Sequence, residues 1–216
     1  MLSDPFAPPS GSIPYALGMS SIVRIPIPGT NGLFIELRPR GRTPRGGSTS
    51  TLFFQDISGR RHLRLDYGYN AVTRTINYHW NQSGTHATFA ISDHAPAGRL
   101  EASAYHAARH FRRAGRVFAV VGVGADLVSI VVANAPIRRA SAVVGAWALA
   151  WAGCKTGGAG GAAAGTAMSP IGTAIGGVGG CIIGGYAGYR AGTAMGGVVF
   201  DLAQTTFTRV PELPAP

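Results

Sequence analysis

The sequence predicts an α+β protein, in which a small antiparallel, β-rich N-terminal part is followed by an all-helical region. Two observations predict this class. Residues 51–98 contain short runs of β-branched and aromatic residues between Gly, Asn and Ser turns, which is typical of antiparallel strands. Residues 99–204 are rich in alanine and glycine and contain apolar runs of helical length.

Residues 1–50 are predicted to be an irregular lead segment, because they are rich in Pro, Gly and Ser. The basic run at 38–45, RPRGRTPR, predicts a solvated loop, and only residues 33–37 have the composition of a strand. The first twenty residues lack a basic stretch followed by an apolar run. We therefore expect no secretory signal peptide, and any export would need another machinery.

Four strands are predicted in the β-rich part, at 52–54, 62–67, 75–80 and 88–91. Alternate residues of a strand share a face. If the second and third strands pair through the turn between them, Arg64, Asp66 and His79 lie together on a polar face. The competing interpretation of this face is a solvated surface with ordinary cross-strand pairs.

A histidine oriented by a carboxylate beside an arginine can act as a general acid or base and stabilise a phosphate, as in metal-independent ribonucleases. Arg64, Asp66 and His79 are therefore candidate catalytic residues, with His86 or His94 as a second histidine. Metal binding by the three histidines is a weaker alternative, because no helix fixes their spacing and no cysteine joins them. We predict no metal and no cofactor.

Residues 99–204 are predicted to be helical, and 205–216 to be a tail. In a first helix at 100–113, His106 and His110 share a face, but this spacing without the glutamate of H-E-x-x-H is unspecific for zinc. The favoured interpretation is a basic helix face. Apolar runs at 117–135 and 140–153 follow, and their lengths are borderline for crossing a bilayer, which takes about 20 residues.

The strongest signal is a glycine at every fourth residue in two arms, which predicts a glycine-zipper hairpin over 153–197 with its turn at 168–170. Residues four apart share a helix face, so each arm carries a groove without side chains. The glycines of the two arms lie at equal distances along the chain from the turn, which places glycine opposite glycine at four levels. The glycines are Gly153, Gly157, Gly161 and Gly165 in the first arm, and Gly172, Gly176, Gly180, Gly184, Gly188, Gly192 and Gly196 in the second.

Two cysteines, Cys154 and Cys181, are too few for a disulfide-rich scaffold or for a zinc site of their own. In the predicted hairpin they lie near one level. They could form a disulfide between the arms, or they could pack as small apolar thiols.

The sequence does not decide whether the hairpin lies in lipid or in water. Glycine inside a water-exposed helix costs about 0.5–1 kcal/mol relative to alanine, a penalty that close helix packing or a lipid environment offsets. The net charge of +10 favours anionic partners, which are nucleic acid, anionic lipid or an acidic protein. No acidic residue lies between Asp126 and Asp201, which suits an anionic membrane surface, and the alternative is a tightly packed soluble bundle. Candidate interfacial anchors are Trp147, Trp151, Tyr186 and Tyr189.

Several short stretches, LRLDYG at 63–68, YHWN at 78–81, GTH at 84–86, DH at 93–94 and AGCK at 152–155, precede or enter the zipper. Over residues 61–201 the chain thereby resembles the C-terminal toxin modules of bacterial polymorphic toxins, which type VI secretion or Rhs-type carriers deliver. The resemblance implies an antibacterial effector that acts at the target cell's inner membrane. It also implies a cognate immunity protein and a secretion carrier or chaperone as partners.

Three functions therefore compete. The first is a membrane-perturbing or pore-forming toxin that inserts residues 114–204. The second is a nuclease toxin that acts on RNA or DNA through His79 and uses the hairpin for translocation. The third is a scaffold or chaperone-bound segment without activity, so the sequence does not decide whether the chain is an enzyme.

Overall fold

The computed structural model describes residues 11–38, 49–70 and 72–207. Most of the basic run at 38–45 and of the predicted tail at 205–216 lies outside the described residues. An antiparallel sheet precedes three long helices, so the predicted α+β class is confirmed. In chain order the elements are α1 Ser12–Ile22, β1 Ile25–Pro26, β2 Phe34–Glu36, β3 Thr49–Gln55, β4 His62–Asn70, β5 Thr75–Ser83, α2 His86–Phe89, α3 Arg99–Val131, α4 Pro136–Thr166 and α5 Pro170–Phe207.

The sheet is an antiparallel meander in the order β1-β2-β3-β4-β5. β4 and β5 pair along nine residues each, with Asp66 opposite His79 and Arg64 opposite Asn81. Because side chains alternate between the faces, Arg64, Asp66 and His79 share the face on which the sequence predicts them.

The other face of the sheet is the apolar core of the protein. Its side chains pack against Tyr105 of α3 and against the hairpin residues Cys154, Ile171 and Cys181 in one cluster. The sheet, α3 and the hairpin therefore share a core that crosses the predicted boundary at residue 98. The core side chains of β3, β4 and β5, each at most 3% exposed, are Leu52, Phe54, Leu63, Leu65 and Trp80.

Two local predictions were wrong. Residues 12–22, expected in an irregular segment, form α1, which is packed on two sides by other helices and therefore needs no single apolar stripe. Of residues 88–91, expected as a strand, the first two lie in the single helical turn α2 and none lies in a strand. This turn brings the ring of Phe89 within 5.0 Å of the ring of Phe54, and the left-handed Ala90 (φ 51°) ends it.

The long helices also run further than the sequence suggests. The segments 100–113 and 117–135, expected as separate helices, belong mostly to α3, which continues through Gly115. Glycine is suited there because a Cβ would lie less than 3.0 Å from the side chain of Ser21 in α1. In the same way, α4 joins the apolar run at 140–153 to the first zipper arm and begins at Pro136, in the first turn, where proline is tolerated.

α4 and α5 touch through their main chains along the predicted glycine rows. A Cβ added to Gly176, Gly180 or Gly184 would lie less than 3.0 Å from the main chain of the opposite helix. The facing pairs are Gly153 with Gly184, Gly157 with Gly180, Gly161 with Gly176 and Gly165 with Gly172, the predicted register. The contact continues beyond the predicted first arm, because Gly188, Gly192 and Gly196 of the second arm face Leu149, Gly145 and Ser141.

A second row of buried residues, all small except Tyr189, lies one position further along each helix than the first and was not predicted from the sequence. A Cβ on Gly158 or Gly177 would lie less than 3.0 Å from the side chain of Ile25 or Ile35, so this row packs against β1 and β2 of the sheet. Its members are Ala142, Ala146, Ala150, Cys154, Gly158 and Ala162 in α4, and Gly177, Cys181, Gly185 and Tyr189 in α5.

Cys154 and Cys181 lie in this second row and form a disulfide. Both are fully buried, and their Cα atoms are 3.8 Å apart. The disulfide therefore links the two arms at the surface on which the sheet packs, and it closes a loop that contains the hairpin turn.

Gly157 and Gly160 provide a matched pair that tests this packing. A Cβ at Gly157 would press on the main chain of Gly180, whereas a Cβ at Gly160 meets nothing within 4 Å. We expect Gly157→Ala to lower the free energy of unfolding by about 1–3 kcal/mol through overpacking. Gly160→Ala should raise it by about 0.5–1 kcal/mol, because alanine is the better helix former. Urea denaturation followed by circular dichroism measures both, and changes of the same sign would contradict the interface.

Candidate functional site

The C-terminal half of α3 leaves its large apolar side chains in solvent. Val117, Val120 and Val131 are 62%, 73% and 80% exposed. The buried residues of this half are small or polar, and they lie on the side of α3 that packs against α1. A continuous apolar surface of this kind is unusual for a soluble monomer and indicates contact with a membrane or a partner.

The ends of α4 and α5 extend this surface. Ser141 donates a hydrogen bond of 2.9 Å to the carbonyl of Gly196, so the start of α4 lies beside the end of α5. Arg139 Nε donates to Ser129 Oγ at 2.8 Å, which brings α3 to the same end. We call the exposed side chains here the apolar end. They are Val117, Val120, Val121, Leu127, Val128, Val131, Val132, Ile137, Val144, Met195, Val198, Val199, Leu202 and Phe207.

Among the described residues, two helices, α3 and α5, are long and apolar enough to cross a membrane. In their most apolar stretches, 22% of the residues of α3 and 33% of those of α5 are buried. The core helix of a soluble protein would be mostly buried. Neither helix is therefore mostly buried along its most apolar stretch.

An ion pair lies at the apolar end. The Arg138 guanidinium donates two hydrogen bonds of 2.8 Å to the Asp201 carboxylate. Lys155 lies with its Nζ 4.0 Å from the ring centroid of Trp151. Arg190 is exposed. The excess of basic residues noted in the sequence is thus partly balanced by Asp201.

Asp126 is a fully buried carboxylate in the middle of the helical half. It accepts hydrogen bonds from Gly11 N at 3.0 Å, from Trp147 Nε1 at 2.7 Å and from the Tyr189 hydroxyl. A buried carboxylate needs such partners, because an unpaired charge in an apolar interior is very costly. One side chain of α3 therefore connects the start of α1 with α4 and α5.

This network corrects the interpretation of two aromatic residues. Trp147 and Tyr189 were expected to be interfacial anchors, but both donate to Asp126, and Tyr189 is only 2% exposed. Trp151 and Tyr186, at 48% and 39% exposure, remain on the surface. The sequence signal that points to this network is Asp126 itself, a single acidic residue inside a long apolar run.

α1 lies between α3 and the hairpin. A Cβ on Gly18 would lie less than 3.0 Å from the main chain of Ala119, so α1 and α3 approach closely. On the other side, the ring of Tyr15 stacks on Trp147 with centroids 5.8 Å apart. α1 therefore fills the space that would otherwise separate the exposed half of α3 from the hairpin.

The second candidate site is the polar face of β4 and β5. The ring that packs on His79 is that of His94, with centroids 5.7 Å apart and planes 9° from parallel. His86, one of the two proposed second histidines, lies exposed at the start of α2. The structure thus brings Asp66, His79 and His94 together, and it favours His94 over His86 as the second histidine.

His94 is held by its neighbours in an uncommon backbone conformation. Its φ of 58° is left-handed, and its Nδ1 lies 2.8 Å from the Asp93 carboxylate. Asp93 in turn accepts a hydrogen bond of 2.8 Å from Gln82 N, and this bond is the main reason that the pKa of Asp93 is lowered. Non-glycine residues in this conformation cluster at functional sites.

Asp66 is 6% exposed, so the polar face is not solvated at its centre. Burial raises the pKa of the Asp66 carboxyl, and a hydrogen bond with Ser50 and the charge of His79 oppose the shift. Arg64 lies with its guanidinium carbon 5.6 Å from the ring centroid of the buried Phe53. The arginine is therefore positioned against an aromatic ring on the same face.

The predicted histidine pair on α3 is not a joint site. His106 Nε2 lies 2.7 Å from the hydroxyl of Tyr78, and His110 is exposed. Within the described part of the chain, no three His, Cys, Asp or Glu side chains are grouped so that they could hold a metal ion.

No protein-family model matches this chain, nor does any curated protein or solved structure. The resemblance to polymorphic-toxin modules therefore stays a prediction from the residues.

Asp66 provides a test of the second site through pH. Its folded-state pKa is raised above the usual value of 3.8, so the folded chain binds this proton more tightly than the unfolded chain. The resulting stability is present at low pH and is lost as the pH rises through the folded-state pKa. We therefore expect Asp66→Asn to gain stability relative to wild type as the pH rises above about 4. Urea denaturation at several pH values measures this.

Asp56→Asn is the matched control. Asp56 is partly exposed on the β3–β4 turn. Desolvation is the largest single effect on its carboxyl and raises the pKa, but the hydrogen bonds that it accepts in the turn together outweigh desolvation and lower the pKa. Its contribution is present at neutral pH and is lost as the pH falls. The Asn variant should therefore lose stability relative to wild type as the pH rises, and the same trend in both variants would contradict the environment assigned to Asp66.

Proposed function

We propose that the chain is an antibacterial effector toxin that inserts its helical half into the target-cell inner membrane and permeabilises it. The observation that carries the proposal is the exposed apolar side of α3 between Val117 and Val132. A helix that presents valine and leucine to solvent gains free energy when lipid replaces water, at about 25 cal/mol for each Å² that is covered.

The distribution of arginines supports insertion at an anionic surface. Arg112, Arg113 and Arg116 precede the apolar part of α3, and Arg138 and Arg139 follow the turn into α4. Long cationic side chains at the ends of an apolar stretch reach toward lipid headgroups while their stems stay in the apolar layer. The net charge of +10 adds attraction to anionic lipid.

The hairpin supports the proposal because its packing works in both media. Its helices satisfy their own backbone hydrogen bonds, as lipid requires, and their glycine rows allow close contact without a hydrophobic driving force. The Cys154–Cys181 disulfide keeps the arms together in an oxidising compartment. The hairpin can therefore enter a bilayer as one unit.

The proposal includes two kinds of protein partner. A secretion carrier or chaperone would cover the apolar end before delivery. In the producing cell, a cognate immunity protein would block insertion. These partners rest on the resemblance to polymorphic-toxin modules.

Val120→Lys tests insertion. The side chain is 73% exposed, so the folded protein should tolerate lysine, but lysine near the centre of a membrane helix costs about 2.5–3.5 kcal/mol. We expect dye release from phosphatidylglycerol-containing liposomes to need roughly 100-fold more protein. Val72→Lys, at a 93% exposed position between β4 and β5, is the control and should release dye like wild type. Equal release by all three proteins would remove α3 from the mechanism.

The alternative is a nuclease toxin, and one observation favours it. His79 and His94 stack beside the buried Asp66, so one ring can take a proton from a nucleophile while the other gives a proton to a leaving oxygen. Cleavage of RNA by attack of its own 2′-hydroxyl needs this pair of steps and no metal. In this reading the hairpin serves only for translocation.

His79→Ala tests the alternative. If the site is catalytic, cleavage of RNA or DNA should fall by about 100-fold or more, because general acid–base catalysis contributes that much. His110→Ala, which changes an exposed histidine of α3, should cleave normally. Liposome leakage by His79→Ala should stay at the wild-type level. A wild-type chain that cleaves neither nucleic acid would exclude this function.

A further inference from the structure

The apolar end stops at a group of aromatic and cationic side chains on the hairpin. Tyr186 of α5 lies level with Trp151 of α4, and both are exposed. The facing pairs on either side of them are Gly153 with Gly184 and Leu149 with Gly188. The ammonium of Lys155 lies 4.0 Å from the ring centroid of Trp151, and Arg190 is exposed one helical turn after Tyr186. We call these four residues, Trp151, Lys155, Tyr186 and Arg190, the belt.

The apolar end covers the helices from the belt to the tip at which Arg138 pairs with Asp201. Residues 191–200 of α5 carry no charged side chain, and Asp201 follows them. Trp151 follows Arg138 by 13 residues in α4, which is about 20 Å along a helix. The hydrocarbon core of a bilayer is about 30 Å thick. The apolar surface is therefore long enough to enter the core and too short to cross it.

On the other side of the belt the hairpin is covered by the sheet. A Cβ on Gly158 or Gly177 would lie less than 3.0 Å from a side chain of β1 or β2. Both glycines lie between the belt and the hairpin turn. The opposite face of the same sheet carries Arg64, Asp66 and His79. Lipid therefore cannot surround this half of the hairpin while the sheet is packed on it.

α3 changes from basic to apolar near the same level. Arg116 is exposed, and from Val117 to the end of α3 the exposed side chains are apolar. The hydrogen bond from Trp147 to Asp126 fixes where α3 lies along α4. The two helices run in opposite directions, so Arg116, ten residues before Asp126, lies on the belt side of this contact. Lys155 lies on the same side, eight residues after Trp147.

We propose that the protein embeds in one side of an anionic bilayer to the depth that the belt sets. The belt lies among the headgroups, the apolar end lies in the hydrocarbon, and the sheet and the hairpin turn stay in water. Tryptophan and tyrosine favour this interface, and cationic side chains there are attracted to anionic lipid. The tip then ends about 10 Å short of the far headgroups, a mismatch that a bilayer relieves by thinning. The inference rests on the proposed membrane function and narrows it to the part of the helices beyond the belt.

Three variants of the whole protein, each with one added cysteine, measure the depth. The two native cysteines form the disulfide, so the added cysteine is the only thiol that a fluorophore can label. The variants are Val198→Cys in the apolar end, Ile183→Cys beside the belt and Ala164→Cys near the hairpin turn, all at exposed positions. The labelled proteins are added to phosphatidylglycerol vesicles that carry nitroxides either deep in the acyl chains or on the headgroups, and the quenching of fluorescence is measured.

We expect acyl-chain nitroxides to quench the probe on Val198→Cys and headgroup nitroxides to quench the probe on Ile183→Cys most. Neither should quench the probe on Ala164→Cys, which iodide in the water should still reach. Acyl-chain quenching at Ala164→Cys would overturn the inference and leave the membrane function intact, because the whole hairpin would then lie in lipid. Absence of quenching at all three sites would overturn the membrane function together with the inference.

Arg190→Gln tests the belt through its charge. We expect its affinity for phosphatidylglycerol vesicles to fall about fivefold, the contribution of one cation near an anionic surface. Arg60→Gln removes the same charge from the exposed β3–β4 turn and should bind like wild type. Co-sedimentation measures both affinities, phosphatidylcholine vesicles should abolish the difference, and thermal unfolding shows that each variant is folded. Equal losses in the two variants would mean that net charge alone attracts the protein, and they would overturn the belt.

Discussion

The contact between the main chains of α4 and α5 is the constraint on which the rest of the structure depends. Because glycine faces glycine from Gly153 to Gly184, the helices come close enough for their backbones to touch. The same approach aligns a second row of small residues on both helices, including the disulfide-bonded Cys154 and Cys181. That second row is the surface on which the sheet and α1 pack.

Asp126 joins the remaining helices to this hairpin. Its carboxylate accepts hydrogen bonds from three other elements, so the exposed half of α3 is held through a polar contact and through α1. Removing one partner from a buried charge network strongly destabilises the folded protein, although the intact network contributes little to the free energy of unfolding. The arrangement holds α3 in one position while leaving its valine and leucine side chains on the surface.

The sequence defines some residues of the histidine site on β4 and β5 and leaves others undefined. The pairing of Asp66 with His79 follows from strand alternation, so the sequence was enough to place them on one face. The stacking of His94 on His79 depends on a left-handed residue and on a segment that returns along β5. No local pattern in the sequence encodes that return, and this is why His86 and His94 could not be separated.

The sequence by itself determined the α+β class, the two period-four glycine rows and their register, because a residue's position along a helix fixes the face on which it lies. Only the tertiary structure decided which residues pack against the other faces of the helices. It showed that α1 is a helix, since burial on two sides stabilises it. It also converted Trp147 and Tyr189 from surface aromatics into partners of Asp126. Such contacts join residues far apart in the chain, where local periodicity carries no information.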